Sequence, residues 1–280
     1  MVYPRHESTT PPLRRSPREE LSFHRTEGRI GRSRLHSGLA SAMATTHSSR
    51  GYVVSDLHLF SRASLYQPFM PLLRKAVIEH SAVVLNGDTF DFKRSPFTSP
   101  EETIRHALDW LADLCGSAPK TSMYYLIGNH DSNPLFVSAL TERASSIPNL
   151  TIAPEILQLG SNLFLHGDAC DLPAGEKDIS TVRRRYASPA RSLSSVACAS
   201  IVTHLRLNIV EYIRHSKRHL AERILTYLDM TYPQYASSVT TVFFGHTHVP
   251  FSNFEHKGIL FNNTGSLIRG LRMMPMEFDY

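Results

Sequence analysis

Five short polar clusters carry the residue types that hold metal ions: Asp56-Leu-His58, Gly87-Asp88, Gly128-Asn129-His130-Asp131, His166-Gly167-Asp168 and Gly245-His246-Thr247-His248. Carboxylates, neutral imidazoles and an Asn carbonyl make a mixed hard and borderline donor set. Such a set suits Mn²⁺, Fe or Zn²⁺ better than Ca²⁺. Seven donors are too many for one tetrahedral ion but fit two ions that share a carboxylate. An Asp-x-His or a His-x-His on extended backbone points both side chains to one face, because strand side chains alternate with period two. The glycines ahead of Asp88, Asn129 and His246 allow sharp turns. Taken singly, each cluster also has a plain reading, as a strand terminus, a common turn or a satisfied core histidine. Their order and shared position after apolar runs make them one site.

The elements that must position these residues alternate along the chain. Apolar runs at 51–55, 82–85 and 123–127 read as strands, each ending at a polar cluster. Between them, 66–80 has helical periodicity, with Phe69, Leu72, Leu73, Ala76 and Val77 on one side. The segment 101–115 reads as a helix capped by Thr98 or Ser99, with Pro100 at its start and Gly116 after its end. A further helix is expected over 134–145. Residues 156–159 and 163–165 form a hairpin signal around Gly160-Ser-Asn162, and strands return at 239–244, 259–261 and 276–278. In open α/β sheets, sites gather beyond the carboxyl ends of strands. The pattern predicts a layered α/β domain over 50–280, interrupted by a helical insertion at about 174–235.

Composition narrows the setting. A hydrophobic fraction of 41% and a charged fraction of 20% are those of an ordinary globular chain. Cys115, Cys170 and Cys198 are sparse and unpaired in sequence, which gives neither a disulfide framework nor a thiolate zinc site and points to a reducing, cytoplasmic setting. The formal charge of +5 is unevenly placed: residues 1–49 hold eight Arg, no Lys and four Glu, a local +4. Nucleic acid is therefore disfavoured as a partner. The segment 1–49 is rich in Arg, Ser, Thr and Pro without apolar periodicity, and reads as a disordered basic leader. A transit peptide and translation from Met43 are the other readings of it. No stretch approaches the roughly 20 apolar residues of a membrane span.

The boxes resemble the pattern of the calcineurin-like metallophosphoesterase superfamily: D-x-H, G-D-x-x-D/E, G-N-H-D/E, H-G-D and G-H-x-H. Here they read Asp56-Leu-His58, Gly87-Asp88-Thr-Phe-Asp91, Gly128-Asn-His-Asp131, His166-Gly-Asp168 and Gly245-His-Thr-His248, followed by Asn263-Thr-Gly-Ser266. The resemblance spans about 51–270 and implies a four-layer α/β/β/α sandwich with a dimetal site at its edge. It places Asp56, His58 and His248 on one metal, Asp88 as the bridge, and Asn129, His166 and His246 on the second. Mn is the first choice of metal, with Fe or Zn as alternatives. His130 would sit near the leaving group, oriented by Asp131. The cations would clamp phosphoryl oxygens and activate water, with His130 protonating the leaving oxygen.

From Ser180 to Leu225, nine basic residues face only Glu211 and Glu222, a local +7. Arg183, Arg184, Arg185, Arg214 and Arg218 are the candidates for substrate binding. Ile201, Leu205, Ile209 and Tyr212 give the insertion an apolar face at helical spacing. A cationic helical cap suits an anionic phosphorylated small molecule, a lipid-linked nucleotide or peripheral contact with an acidic membrane. An ordinary helix pair with a solvated basic side is the plainer alternative. The insertion resembles that of UDP-2,3-diacylglucosamine hydrolases, which cleave a pyrophosphate bond, although their best-known form has Arg at the position of His130. A phosphodiesterase for small nucleotides and a non-catalytic scaffold of the same fold are the competing functions.

Overall fold

The computed structural model describes residues 49–187, 216–235 and 237–280. Apart from Ser49, the expected leader lies outside these residues, as do Cys198, Arg191, Arg206, Arg214 and the apolar stripe 201–212.

Among the described residues, ten strands form two five-stranded sheets. The first holds β1 (Arg50–Val54), β2 (Ala82–Asn86), β3 (Ser122–Leu126), β4 (Leu150–Ala153) and β10 (Met276–Asp279), in the order β10-β1-β2-β3-β4. Strands β1 to β4 are parallel, and β10 runs antiparallel beside β1. The second sheet holds β5 (Ile156–Leu159), β6 (Asn162–Leu165), β7 (Thr241–Phe244), β8 (Phe251–His256) and β9 (Ile259–Asn263), in the order β5-β6-β7-β9-β8. Within it β6, β7 and β9 are parallel.

The alternation of side chains along each strand builds the layers. Tyr52, Val54, Val83, Leu85, Met123 and Tyr125 pack on helices α1 (Tyr66–Glu79), α2 (Pro100–Gly116) and α3 (Pro134–Ala144). The intervening Val53, Val84 and Leu126 point the other way, against Phe164, Phe243 and Phe278, and so glue the two sheets together. On the far side Leu163, Leu165, Val242, Phe244 and Phe261 meet Val182 of α4 (Ser180–Ala187) and Leu220, Ile224 and Tyr227 of α5 (Lys217–Thr231). Helices, sheet, sheet, helices: the four-layer α/β/β/α sandwich expected from the boxes is present.

Local chemistry explains the boundaries. The Ser99 side chain caps α2 by accepting from the Glu102 backbone N–H, and Glu102 reaches back to the Thr98 N–H. Pro100 occupies the first turn, where a missing N–H costs nothing. In α1 the buried face is Leu73, Ala76 and Val77, whereas Leu72 is 49% exposed, so the apolar stripe is narrower than its sequence suggests. Strands β4 and β8 have no counterpart in the sequence reading. Strand β4 is short with a half-exposed middle, and β8 pairs irregularly with β9 between Phe251 and Phe254. Among the described residues, no helix is long and apolar enough to cross a membrane.

Candidate metal centre

The clusters follow the carboxyl ends of β1, β2 and β3 in one sheet and of β6 and β7 in the other. Sheet packing brings these five ends to one edge, where Asp56 meets a backbone N–H 190 positions away in sequence, that of His246. The expected extended backbone does not occur. Asp56 (φ 53°), His58 (φ 46°), Asp88 (φ 51°), His246 (φ 63°) and His248 (φ 58°) all adopt the left-handed conformation, which non-glycine residues seldom take and which is found at over-determined functional sites. The glycines also serve differently from expectation. Gly87 supplies a positive φ of 84°, but Gly128 and Gly245 supply space. A Cβ at Gly128 would lie 2.2 Å from Asp88 Oδ1, and one at Gly245 would lie 2.1 Å from Asp56 Oδ2.

Two donor groups converge around Asp88. In the first, His248 Nε2 lies 3.2 Å and His58 Nε2 3.8 Å from Asp56 Oδ1, and the two imidazole nitrogens face each other at 3.3 Å. In the second, Asn129 Oδ1 lies 3.0 Å from His166 Nε2 and 2.8 Å from His246 Nδ1. Asp88 Oδ2 stands between them, 3.9 Å from His58 Nε2 and 3.4 Å from His166 Nε2. Its other oxygen accepts from the His130 backbone N–H at 2.7 Å. Donor atoms of Asp56, His58 and His248, and separately of Asp56, Asp88 and His166, lie within reach of a single ion. His58, Asp88 and His130 form a third such group.

This arrangement fits cations. Asp56, Asp88 and Asp91 are buried carboxylates crowded at one sheet edge, and isolated buried charge is costly. Burial opposes ionisation of Asp88, yet His166 and His130 hold it well below the usual carboxylate range. Burial likewise opposes a charged His166, but Asp88 pushes that imidazole up to about 10, a sign of how strongly the cluster recruits positive charge. The facing nitrogens of His58 and His248 invite a shared positive centre in the same way. Three of the other ring nitrogens have oxygen neighbours, as is usual for metal-binding imidazoles: Asp91 Oδ2 is 3.7 Å from His58 Nδ1, Asp171 Oδ2 is 3.0 Å from His246 Nε2, and the Asn86 carbonyl oxygen is 3.2 Å from His166 Nδ1.

A sequence model of the calcineurin-like phosphoesterase family matches residues 50–250. The chain belongs to this family. It is a metallophosphoesterase, and its clustered Asp and His side chains are those of a dimetal site. No curated protein matches it. Among solved structures, a phosphopantetheinyl hydrolase from Mycobacterium tuberculosis is 15% identical, covering 78% of this chain and 90% of that one with a TM-score of 0.39. A dimetal phosphatase from Danio rerio is 12% identical, covering 83% and 99% with a TM-score of 0.45.

Asp131 does not orient His130 in this metallophosphoesterase. Its carboxylate accepts from Thr89 N (2.9 Å), Tyr125 Oη (2.6 Å) and Gly128 N (2.6 Å), bracing the loops after β2 and β3. The group beside His130 Nδ1 is Asp91, at 3.3 Å. The second acid of the Gly87-Asp88-Thr-Phe-Asp91 box was the signal for it.

The basic candidates divide. Arg183 is a strut: Nε donates to Asp168 Oδ2 (2.8 Å) and the terminal nitrogens donate to the carbonyls of Pro154 (2.8 Å) and Ile127 (2.7 Å). Arg184 is exposed and donates to Ser180 Oγ. Arg218 is exposed at the start of α5 and does not line the cleft, whereas Arg185 does. Arg223, also of the basic segment, donates to the carbonyls of Cys170 and Leu172 and so acts as a second strut. The cleft over the metal centre has a volume of about 480 Å³ and is walled by polar and charged groups together with the phenol ring of Tyr186. Arg94 and Tyr186 were not legible as parts of it.

Proposed function

We propose that this chain hydrolyses a phosphoester or phosphoanhydride bond. Asp56, His58 and His248 would hold one divalent cation, Asn129, His166 and His246 the other, and Asp88 both. The observation that carries this reading is the position of Asp88 between two convergent donor groups, with all seven donors at one sheet edge. Mn²⁺ is the metal of first choice for this mixed oxygen and nitrogen set. When bound, the cations polarise phosphoryl oxygens and activate water.

The chain's own residues do the rest. His130 lines the cleft, and Asp91 beside Nδ1 leaves Nε2 to face a leaving oxygen and supply its proton. Asp91 is a positioning residue for His130 and, more distantly, for the His58 ring. Asp131 holds the two loops that carry Asp88 and Asn129.

For the substrate, a lipid-linked nucleotide of the UDP-2,3-diacylglucosamine type is the specific reading that the insertion supports. A small nucleotide is the second, favoured by the polar walls of the cleft. Basic side chains at the start of α5, Arg218 among them, would face an acidic surface in the first case.

The test is hydrolysis by the Mn²⁺-loaded protein of a phosphodiester panel beside UDP-2,3-diacylglucosamine in detergent micelles. Preferential release of UMP from the lipid supports the first reading, and turnover of soluble nucleotides alone supports the second. Bound metal without turnover of any substrate would overturn catalysis and leave a scaffold.

A further inference from the structure

The Arg183 guanidinium is committed to the fold, whereas those of Arg94 and Arg185, which line the cleft, are largely not. Arg183 spends donors from all three of its nitrogens on protein acceptors. Arg94 spends a single side-chain donor, Nη1, on Asp91 at 3.3 Å, and 46% of its side chain is open. Arg185 has no acidic partner among the described residues. Both Arg94 and Arg185 line the same 480 Å³ cleft as Asp88, Asn129, His130, His246 and His248. A guanidinium offers five donors in a planar fork that matches phosphate oxygens, so most of this capacity waits for a ligand.

The two arginines come from different elements, and each is held in place. Arg94 stands on the loop between β2 and α2. That loop is pinned by its backbone N–H to Asp91 Oδ1 (3.0 Å), by Ser95 against Thr103 (2.9 Å), and by Phe97. The Phe97 ring stacks on His106 at 4.2 Å and meets Phe60 edge-on at 5.2 Å. Arg185 stands on α4, whose approach to the site is fixed by the Arg183 strut and by Tyr186. The Tyr186 ring lies 5.1 Å from the His130 ring and 5.7 Å from Lys93 Nζ, so it joins α4, the β2–α2 loop and the leaving-group histidine. Cations held on ordered supports beside a site for one phosphate are preorganised for a second anion.

We propose that Arg94 and Arg185 form an anion subsite beside the metal centre, which takes the non-scissile phosphate of a diphosphate substrate. The inference rests on the hydrolytic reading of the centre and narrows it from phosphoester or phosphoanhydride substrates of either kind to diesters of diphosphate. A substrate with one phosphate fills the metal side of the cleft and leaves Arg94 with only its Asp91 contact and Arg185 without an acidic partner among the described residues. A diphosphate reaches both sides, and each lost arginine then removes a charge-assisted contact worth about tenfold to a hundredfold in affinity.

The variants are Arg94→Gln and Arg185→Gln. The first also alters the surroundings of Asp91; the second does not and so guards against an indirect effect. With Mn²⁺-loaded enzyme, the ratio of kcat/KM for UDP-glucose to that for bis(p-nitrophenyl) phosphate should fall at least about tenfold in each variant, mainly through KM. Separately, titration calorimetry on the as-isolated protein compares α,β-methylene-ADP, inert between its phosphates, with AMP. The wild type should bind the diphosphate at least about tenfold tighter, and each variant should lose that preference. An unchanged substrate ratio, or equal binding of the two nucleotides by the wild type, overturns the subsite. If the wild type hydrolyses neither substrate, the hydrolytic reading fails, and calorimetry alone decides whether the subsite exists.

Discussion

Replacing Arg183 by Met tests whether that arginine is a strut or a substrate ligand. The Arg183 side chain is 11% exposed and that of Asp168 is 1% exposed, so the pair is essentially out of water. Asp168 Oδ1 has no hydrogen-bond partner among the described residues, which leaves this carboxylate dependent on the guanidinium. Methionine fills similar space but strands the Asp168 charge and orphans the carbonyls of Pro154 and Ile127. Removing one member of a buried ion pair costs about 3–5 kcal/mol, a large share of the roughly 5–15 kcal/mol that holds an average domain together. Urea unfolding followed by circular dichroism should show that loss. The double variant Arg183→Met with Asp168→Leu should recover about 2 kcal/mol of it, because removing both charges is far less harmful than removing one. A single variant that loses less than about 1 kcal/mol while KM rises would refute the strut and return Arg183 to the substrate.

Asp88→Asn should abolish activity and lower bound metal measured by mass spectrometry, since the carboxylate between the two donor groups loses its charge; full metal occupancy would contradict its bridging place. His130→Ala should keep its metal while kcat falls about 10²- to 10⁴-fold, and a matching loss of metal would place His130 among the ligands. Gly245→Ala drives a methyl group against Asp56 and Ser55; overpacking of about 1–3 kcal/mol should appear as a lower Tm together with weaker metal binding, and a variant with unchanged Tm would show that the loop yields. Burial pushes the Cys115 thiol up to about 11 and raises Cys170 as well. At pH 8 only about a thousandth of Cys115 would be thiolate, so iodoacetamide should leave both unlabelled until the chain is denatured, and rapid native labelling would argue against their burial.

The architecture was legible because three parallel strands of the first sheet are continuous apolar runs that each end at a ligand box. Strands β4 and β8 were not, since neither carries a clean period of two, and their pairing is settled by neighbours far away in sequence. The ligand residues could be named from their boxes, but the backbone that presents them could not. Period-two reasoning put Asp56 and His58 on an extended segment, whereas packing holds both in the left-handed region. Asp131 and Asp91 show a related limit. Both are acids in ligand boxes, and only the fold shows that Asp131 ties down two loops while Asp91 stands beside His130. The arginines failed for a similar reason: sequence counts charge, but only the structure shows that Arg183 and Arg223 are consumed by main-chain carbonyls while Arg94, outside the basic segment, opens onto the cleft.

The place of β10 beside β1 has a consequence for how the chain is made. Arg50 and Glu277 sit across that pairing and are 227 positions apart. During synthesis β1 can pair with β2 early, but its other edge stays open until residues 276–279 emerge. Sheets closed by such distant partners fold slowly, and an open strand edge invites pairing with another chain. The nascent protein therefore spends nearly its whole elongation with half of its first strand unprotected. Deleting residues 276–280 would make that transient hazard permanent, so such a chain would be lost to aggregation even though every ligand residue remains.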